Sequence, residues 1–200
     1  MVSAIILAAG ESSRMGAPKA LLTDPDGRFF VLRIVSAMHD AGIGDIVVVT
    51  GKHHDEIAEA IGATAGVRVA RNPDPSRGQL SSLHRGMDEV VEPHTAAIVV
   101  TLVDVPMARS STIAAVVDGW IETDAPIVRP RMGERRGHPV LFDRRVFQEL
   151  RQAPLADGAR AVLRAAGATL DAALGEPPPV RPGRESPRLS RRGWLAWRSG

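Results

Sequence analysis

Short runs of consecutive apolar residues restrict the fold of this chain more than any other feature. Val2–Leu7 is rich in β-branched residues and largely apolar on both faces, and Ala96–Val103 has the same character. Because successive side chains of a strand point to opposite faces of a sheet, such runs indicate strands that are buried on both faces. A parallel sheet covered by helices provides that environment.

Segments with helical spacing separate these strands. Phe29–Asp40 alternates apolar and polar residues at that spacing, and glycines end it before the strand Asp45–Thr50. His54–Ile61 then predicts a helix and Val67–Ala70 a strand. Alternation of this kind implies right-handed crossovers. We therefore predict an α/β fold, Rossmann-like, with a mostly parallel sheet, helices on both faces and ligands at the carboxyl ends of the strands.

The second half of the chain continues this alternation and then changes. The predicted elements are a helix at Leu80–Val91, the strand Ala96–Val103, a helix at Thr112–Ile121, strands at Ala125–Arg129 and Pro139–Phe142, and helices at Asp143–Arg151 and Asp157–Ala166. The two late strands flank a turn or hairpin region at residues 132–137. We predict one domain over residues 1–175. Residues 176–200 lack periodicity and are rich in proline and arginine, which predicts a disordered basic tail.

Composition excludes several classes of protein. The chain has no cysteine, so it has neither disulfides nor a thiol nucleophile, and we expect a cytoplasmic protein. No apolar run approaches the roughly 20 residues of a membrane span, and no basic segment precedes the first run. Six arginines and two glutamates follow residue 175, so residues 1–175 carry −2 of the whole-chain charge of +2. This distribution argues against a nucleic-acid partner.

The loop after the first strand is suited to phosphate. Ala8, Ala9 and Gly10 have little or no side chain, so backbone N–H groups can approach phosphate oxygens closely. Arg14 and Lys19 can supply positive charge, and Lys19 is one of only two lysines. The glycine spacing differs from a Walker A loop and from the Gly-x-Gly-x-x-Gly of dinucleotide folds. An ordinary strand-to-helix turn is the alternative interpretation.

Two further loops follow predicted strands. Asp104 comes directly after Ala96–Val103, which places a carboxylate at the same edge as Gly10. Mg²⁺ favours one or two carboxylates together with substrate oxygens, although an aspartate there can also simply cap a turn. The segment 71–83 is rich in hydroxyl and amide groups, which can read a base edge without a charged partner. Asn-Pro and serine also form ordinary turns and helix caps.

These loops resemble the signatures of the MobA/MocA-like nucleotidyltransferases. Residues 5–19 match Leu-Ala-Ala/Gly-Gly-x-Ser-x-Arg-Met-Gly-x-x-Lys almost without a gap, and 101–107 resembles Leu-Gly/Ala-Asp-Met-Pro. Residues 72–83 resemble Asn-Pro-x-x-x-x-Gly-x-x-Ser-Ser-Leu, and 136–139 resembles Arg-Gly-x-Pro. The resemblance extends to about residue 165 and implies a nucleotide-diphospho-sugar transferase type of fold.

The resemblance implies a role for each matching residue. The implied nucleotide-binding residues are Leu7, Ala8, Ala9, Gly10, Arg14, Lys19, Asn72, Gly78, Ser81 and Ser82. Arg14, Lys19 and Asp104 are the implied catalytic residues, with Asp104 as the Mg²⁺ ligand, and Arg136, Gly137 and His138 are implied to contact the acceptor. A helix beginning at 157–160 could receive an acceptor phosphate at its N-terminus.

The resemblance also implies the reaction. Alanine at the position of Ala9 is typical of the cytidylyltransferases of the family, and glycine there of the guanylyltransferases, so CTP is the favoured nucleotide. The implied reaction joins CMP to a phosphorylated acceptor, molybdopterin, with release of pyrophosphate and with Mg²⁺ as cofactor. A sugar phosphate or another phosphorylated acceptor, or GTP as the nucleotide, are the alternatives. A catalytically impaired nucleotide-binding protein is a further alternative, because the family's closing strand and acidic segment are expected to be missing.

Overall fold

A computed structural model describes residues 1–10, 17–90, 94–132, 135–155 and 169–173. Within them an eight-stranded sheet has the order β3-β2-β1-β4-β7-β5-β6, with β8 paired to β5. The strands are β1 (Val2–Ala8), β2 (Asp45–Thr50), β3 (Val67–Arg71), β4 (Ala97–Leu102), β5 (Ile127–Met132), β6 (Arg135–Arg136), β7 (Val140–Asp143) and β8 (Thr169–Ala173). The tail at 176–200, the predicted helix Asp157–Ala166 and the loop residue Arg14 lie outside the described residues.

The sheet is mostly parallel, as predicted. β1 pairs in parallel with β2 and β4, and β2 with β3. β7 is antiparallel to both β4 and β5, so β4 and β5 run in the same direction. The carboxyl ends of β1 to β5 therefore lie at one edge of the sheet, and β7 begins at that edge.

Five helices within the described residues cover the two faces of the sheet. They are α1 (Phe30–Asp40), α2 (His54–Ile61), α3 (Gln79–Glu89), α4 (Ser110–Thr123) and α5 (Phe147–Gln152). Ala4 and Ile6 of β1 belong to the buried cluster that includes α1, α2 and α4, whereas Ile5 and Leu7 belong to the cluster with α3 and α5. The continuous apolar run of β1 is thus explained, because both of its faces are buried. In the described part of the chain, no helix has the length and apolar character needed to cross a membrane.

The segment after β7 differs from its prediction. A helix was expected over Asp143–Arg151, but Asp143 is the last residue of β7, and a 3₁₀ turn at Arg144–Val146 precedes α5. The Asp143 carboxylate accepts the backbone N–H of Arg145 at 2.8 Å, and it also accepts the Trp120 indole N–H at 2.7 Å. Local capping therefore delays the start of the helix.

The expected absence of a closing strand is wrong. β8 (Thr169–Ala173) pairs in parallel with β5, with Ile127 opposite Thr169 and Arg131 opposite Ala173. Its sequence, Thr-Leu-Asp-Ala-Ala, has no apolar run and no strict alternation, so periodicity alone does not identify it. The open edge of β5 supplies the backbone hydrogen-bonding groups that make this segment a strand.

Candidate active site

A cleft opens at the carboxyl edge of the sheet, between the loops that follow β1, β3 and β4. It has a volume of about 220 Å³. The lining residues are Leu7, Ala8, Ala9, Gly10, Lys19, Pro75, Gly78, Gln79, Ser82, Leu102, Val103 and Asp104. The fold thus brings together predicted site residues from three distant segments. Pro75, Gln79, Leu102 and Val103 also line the cleft and were not predicted, because apolar and amide side chains carry no distinctive signal in the sequence.

Two opposite charges face this cleft. The Lys19 ammonium lies 3.7 Å from the Asp104 carboxylate, and the two side chains are 42% and 48% exposed. Lys19 begins a 3₁₀ turn that is anchored by the buried Ala20, and Asp104 follows β4. Half-exposed ion pairs contribute little to stability. The position of both groups at the mouth of a cleft is therefore better explained by binding than by folding.

Gly51, which was not predicted from the sequence, packs closely against the loop after β1. A Cβ atom at Gly51 would lie 2.9 Å from the Ala9 carbonyl oxygen and 2.9 Å from Pro75 Cγ. Ala9 and Pro75 both line the cleft. Gly51 thus allows the loops after β1 and β3 to approach each other across the end of β2. In the sequence it is simply a glycine after a strand, which usually indicates only a turn.

Asp104 provides a donor set that fits Mg²⁺ but not a complete metal cage. Within the described residues, no three His, Asp or Glu side chains converge where a metal ion could be held. Mg²⁺ commonly uses one or two carboxylates and takes its other ligands from water and substrate phosphates. A single half-exposed carboxylate beside the small-residue loop after β1 is suited to that arrangement. The Val103 N–H donates to the Leu7 carbonyl at 3.0 Å and so ties the Asp104 loop to β1.

The loop after β3 is shaped by an internal hydrogen-bond network. The buried Asn72 amide donates to the Ser81 and Ser82 hydroxyls, each at 2.9 Å, and its carbonyl oxygen accepts the Asp74 N–H at 3.1 Å. Gly78 has a φ of +96°, which favours glycine, and its carbonyl accepts the Ser81 hydroxyl. Gly78 and Ser82 line the cleft, whereas Asn72 and Ser81 lie behind it. Base contacts by these residues stay a prediction.

His138 lies beside the Asp104 loop. Val140 pairs with Val100 in the antiparallel register of β7 and β4, and the His138 ring Nδ1 donates to the Val100 carbonyl at 3.4 Å. Burial lowers the pKa of His138, against the opposing effects of the Val100 hydrogen bond and the Asp104 charge. A neutral imidazole with a proton on Nδ1 leaves Nε2 as a hydrogen-bond acceptor. His138 is therefore a partly buried residue with a backbone contact to β4 and is not an exposed turn residue.

The other two predicted acceptor residues are more exposed. Arg136 lies in the short strand β6, opposite Arg131 of β5, and Gly137 donates its N–H to the Pro130 carbonyl at 3.1 Å. They come directly before His138, at the edge of the sheet where the cleft opens. Two arginines opposite each other repel, which suits a surface that binds anions. The predicted acceptor helix at 157–160 lies outside the described residues.

The sequence profile of the MobA-like NTP transferase domain matches residues 4–171, which is most of the chain. The chain belongs to the MobA-like NTP transferase family. Membership identifies the chain as a nucleotide-transferring domain. It also confirms the family resemblance of the sequence motifs.

Named relatives of this MobA-like chain fall into more than one subgroup. Molybdenum cofactor cytidylyltransferase of Escherichia coli is 27% identical over 153 residues, 76% of each protein. Bifunctional protein GlmU of Rhizobium leguminosarum is 29% identical over 139 residues, which is 69% of this chain but only 27% of GlmU. The chain therefore spans about a quarter of the GlmU proteins that it matches.

Solved structures support the fold. Rv0371c of Mycobacterium tuberculosis superimposes with a TM-score of 0.74 at 25% identity, covering 88% of this chain and 89% of that one. A complex of Rv0371c with manganese superimposes with a TM-score of 0.70 at 23% identity, with the same coverage. The α/β architecture with helices on both faces is thus confirmed.

Proposed function

We propose that this MobA-like domain is a Mg²⁺-dependent cytidylyltransferase that joins CMP from CTP to molybdopterin and releases pyrophosphate. The observation that carries the proposal is the meeting of Lys19 and Asp104, 3.7 Å apart, at a cleft whose floor is the small-residue loop Leu7–Gly10. A cation and a carboxylate at such a loop suit a metal–triphosphate complex. Ala9, at the position where alanine is typical of the family's cytidylyltransferases, favours CTP over GTP.

The proposed mechanism depends on positioning and charge. The backbone of Leu7–Gly10 and the side chains of Lys19 and Arg14 hold the triphosphate, and an oxygen of the acceptor phosphate attacks the α-phosphorus in line. Asp104 would hold Mg²⁺, which would neutralise charge on the phosphate oxygens. The P–O bond to pyrophosphate breaks as the new P–O bond forms, and Lys19 stabilises the charge on the leaving group. No side-chain nucleophile is required.

Base and acceptor are assigned to opposite sides of the cleft. The Ser82 hydroxyl and the Gly78 backbone contact the cytosine and ribose, and Asn72 and Ser81 hold that loop in shape. On the other side, Arg136, Gly137 and His138 bind the phosphorylated acceptor, with the His138 Nε2 accepting a hydrogen bond from it. We assign the enzyme to a domain over 1–175 and to the cytoplasm, in line with the absence of cysteine.

The test compares two site variants with two matched surface variants. Lys19→Ala and Asp104→Ala should lower the rate of pyrophosphate release from CTP and molybdopterin by about 100-fold or more, since groups that stabilise transition-state charge have effects of that order. Arg144→Ala and Asp40→Ala remove exposed charges of the same signs at residues that do not line the cleft, and they should leave the rate unchanged. Near-normal turnover in either site variant would refute its role.

A second candidate function changes only the acceptor, and the GlmU matches show that the similarity is not confined to molybdenum cofactor enzymes. The acceptor would then be a sugar phosphate, and the same Lys19 and Asp104 chemistry would apply. The presence of β8 removes one of the two reasons for expecting an impaired enzyme, the missing closing strand, and the missing acidic segment stays a prediction. A screen of CTP, GTP and other nucleotides against molybdopterin and sugar phosphates distinguishes these cases. Pyrophosphate release that requires a sugar phosphate would replace the molybdopterin assignment, and nucleotide binding without release for any acceptor would overturn the transferase proposal.

A further inference from the structure

We propose that Arg33 is a positioning residue that sets the distance between the Lys19 segment and the Asp104 loop, an inference that rests on the proposed function. Arg33 lies in α1, behind the cleft rather than in its lining. Its guanidinium NH1 donates to Asp24 at 2.8 Å, and its Nε donates to the Pro106 carbonyl at 3.2 Å. One side chain therefore joins the segment that follows Lys19 to the loop that follows Asp104.

The Asp24 end of this link is firmly held. Asp24 comes five residues after Lys19, and its side chain is only 2% exposed. It accepts the backbone N–H groups of Arg28 at 3.0 Å and Asp26 at 2.9 Å in addition to Arg33. The Arg28 N–H lowers the pKa of Asp24, with Arg33 and Asp26 adding to the effect. Asp24 is therefore a carboxylate that keeps its charge and organises its own loop.

At the other end of this link, Arg33 contacts the loop that carries Asp104 through one group, the Pro106 carbonyl. Pro106 is two residues beyond Asp104, and the Val105 N–H donates to the Leu102 carbonyl at 3.1 Å. The backbone around Asp104 is therefore held at two places, by the hydrogen bond to the Leu102 carbonyl and by the contact of Arg33 with the Pro106 carbonyl. Arg33 in turn is held by its helix, because the next residues, Ile34 and Val35, are buried in the core. The guanidinium thus connects the Asp104 loop to a rigid support.

This link matters because the half-exposed pair of Lys19 and Asp104 is too weak to fix the two segments by itself. A metal and a triphosphate need both side chains at a defined separation. A planar guanidinium that bonds both segments holds them in a fixed relative position, since its donors are fixed relative to each other. Residues that orient a metal ligand from outside the ligand shell commonly affect metal affinity by about 10-fold to 100-fold. Arg33 is expected to act in this way.

The experiment uses Arg33→Lys in the full chain. Lysine keeps a positive charge for the buried Asp24, but its single ammonium cannot reproduce the two fixed donors. With a non-hydrolysable CTP analogue present, the Kd of Mn²⁺, measured by its electron paramagnetic resonance signal, should rise about tenfold. The affinity for CTP without metal should be unchanged. In turnover, the Mn²⁺ concentration for half-maximal rate should rise, with a smaller change in the KM for CTP.

Arg68→Lys is the matched control. Arg68 also bonds a carboxylate, Asp45 at 2.5 Å, and a backbone carbonyl, that of Glu89, but Asp45 lies at the opposite edge of the sheet. This variant should change thermal stability without changing the Mn²⁺ Kd. Asp24→Asn is measured in parallel, because it keeps the one oxygen that accepts both backbone N–H groups and replaces the oxygen that accepts from Arg33 with an NH₂ donor. It should also raise the Mn²⁺ Kd.

The outcomes separate this inference from the proposed function. Wild-type protein that binds Mn²⁺ with the nucleotide, together with unchanged Mn²⁺ affinity in Arg33→Lys and Asp24→Asn, would overturn the positioning role alone. An equal rise in Arg68→Lys would also overturn it, because it would show a general effect of stability. If the wild-type protein binds no Mn²⁺ in the presence of nucleotide and releases no pyrophosphate, the proposed function fails and the inference fails with it.

Discussion

Gly51→Ala should damage the site by moving the first loop. The added Cβ would meet the Ala9 carbonyl oxygen and Pro75 Cγ, both at 2.9 Å, whereas ordinary contacts begin at 3.4 Å. The backbone of Ala9 and the ring of Pro75 must then separate from Gly51 by about 0.5 Å, and neither is the end of a flexible side chain. Forcing such an atom into a packed region costs about 1–3 kcal/mol of unfolding free energy.

The catalytic consequence follows from the place of the two contacts. Both Ala9 and Pro75 line the cleft, so the shift acts on two loops together. They are the loop after β1, which is proposed to bind phosphate, and the loop after β3, which is proposed to bind the base. A misplacement of about 1 Å can reduce a rate by about 100-fold, so a shift of half that size should lower kcat/KM for CTP by about tenfold. The assay is steady-state pyrophosphate release, measured well below the unfolding temperature, beside chemical denaturation of the same sample.

Gly44→Ala is the control for this change. A Cβ at Gly44 meets nothing within 4 Å, and its φ is not in the left-handed region. Gly-to-Ala changes at such positions tend to stabilise by about 0.4–1 kcal/mol. If Gly51→Ala had the stability and kcat/KM of Gly44→Ala, the close approach of the two loops at Gly51 would be refuted.

Two further predictions concern the antiparallel strand β7 and His138, which comes shortly before it. His138→Asn keeps a donor for the Val100 carbonyl but cannot titrate. Burial lowers the pKa of His138 in the folded protein. The wild type should therefore lose unfolding free energy as the pH falls below about 6.5, the pKa of histidine in the unfolded chain. Urea denaturation at pH 7.5 and 5.5 should show a smaller loss in the variant, and equal losses would contradict the assignment. Leu141→Ala removes a fully buried side chain of β7 and should cost about 2–5 kcal/mol by the same method, with a loss near zero contradicting its place in the core.

Local patterns predict most of the fold. The bounds of the strand Asp45–Thr50 and the helix His54–Ile61 agree with the structure, because each has a clear apolar period and a clear stop signal. The segment Thr169–Ala173 has neither, and it becomes a strand only because β5 offers an open edge beside it. The delayed start of α5 has a similar cause, since the Asp143 side chain caps the preceding turn.

Local patterns predict the candidate site less completely. The small-residue loop, Lys19 and Asp104 stand out in the sequence, and the fold brings them to one cleft. Asn72 and Ser81 have the right residue types, but their polar groups bond within the loop. No sequence period distinguishes a hydroxyl that faces a cleft from one that braces a loop. That difference depends on which partners the folded backbone places within hydrogen-bond distance.

The sequence by itself determined the alternation of strands and helices, the family, and which loops are proposed to bind phosphate and metal. These properties depend on residues that are close together in the chain. The tertiary structure decided that β7 enters between β4 and β5 and brings His138 beside the Asp104 loop, and that Arg33 joins two loops from behind. It also decided that Gly51 must lack a side chain. Each of these depends on distances between segments far apart in the sequence, which only the packing of the whole sheet establishes.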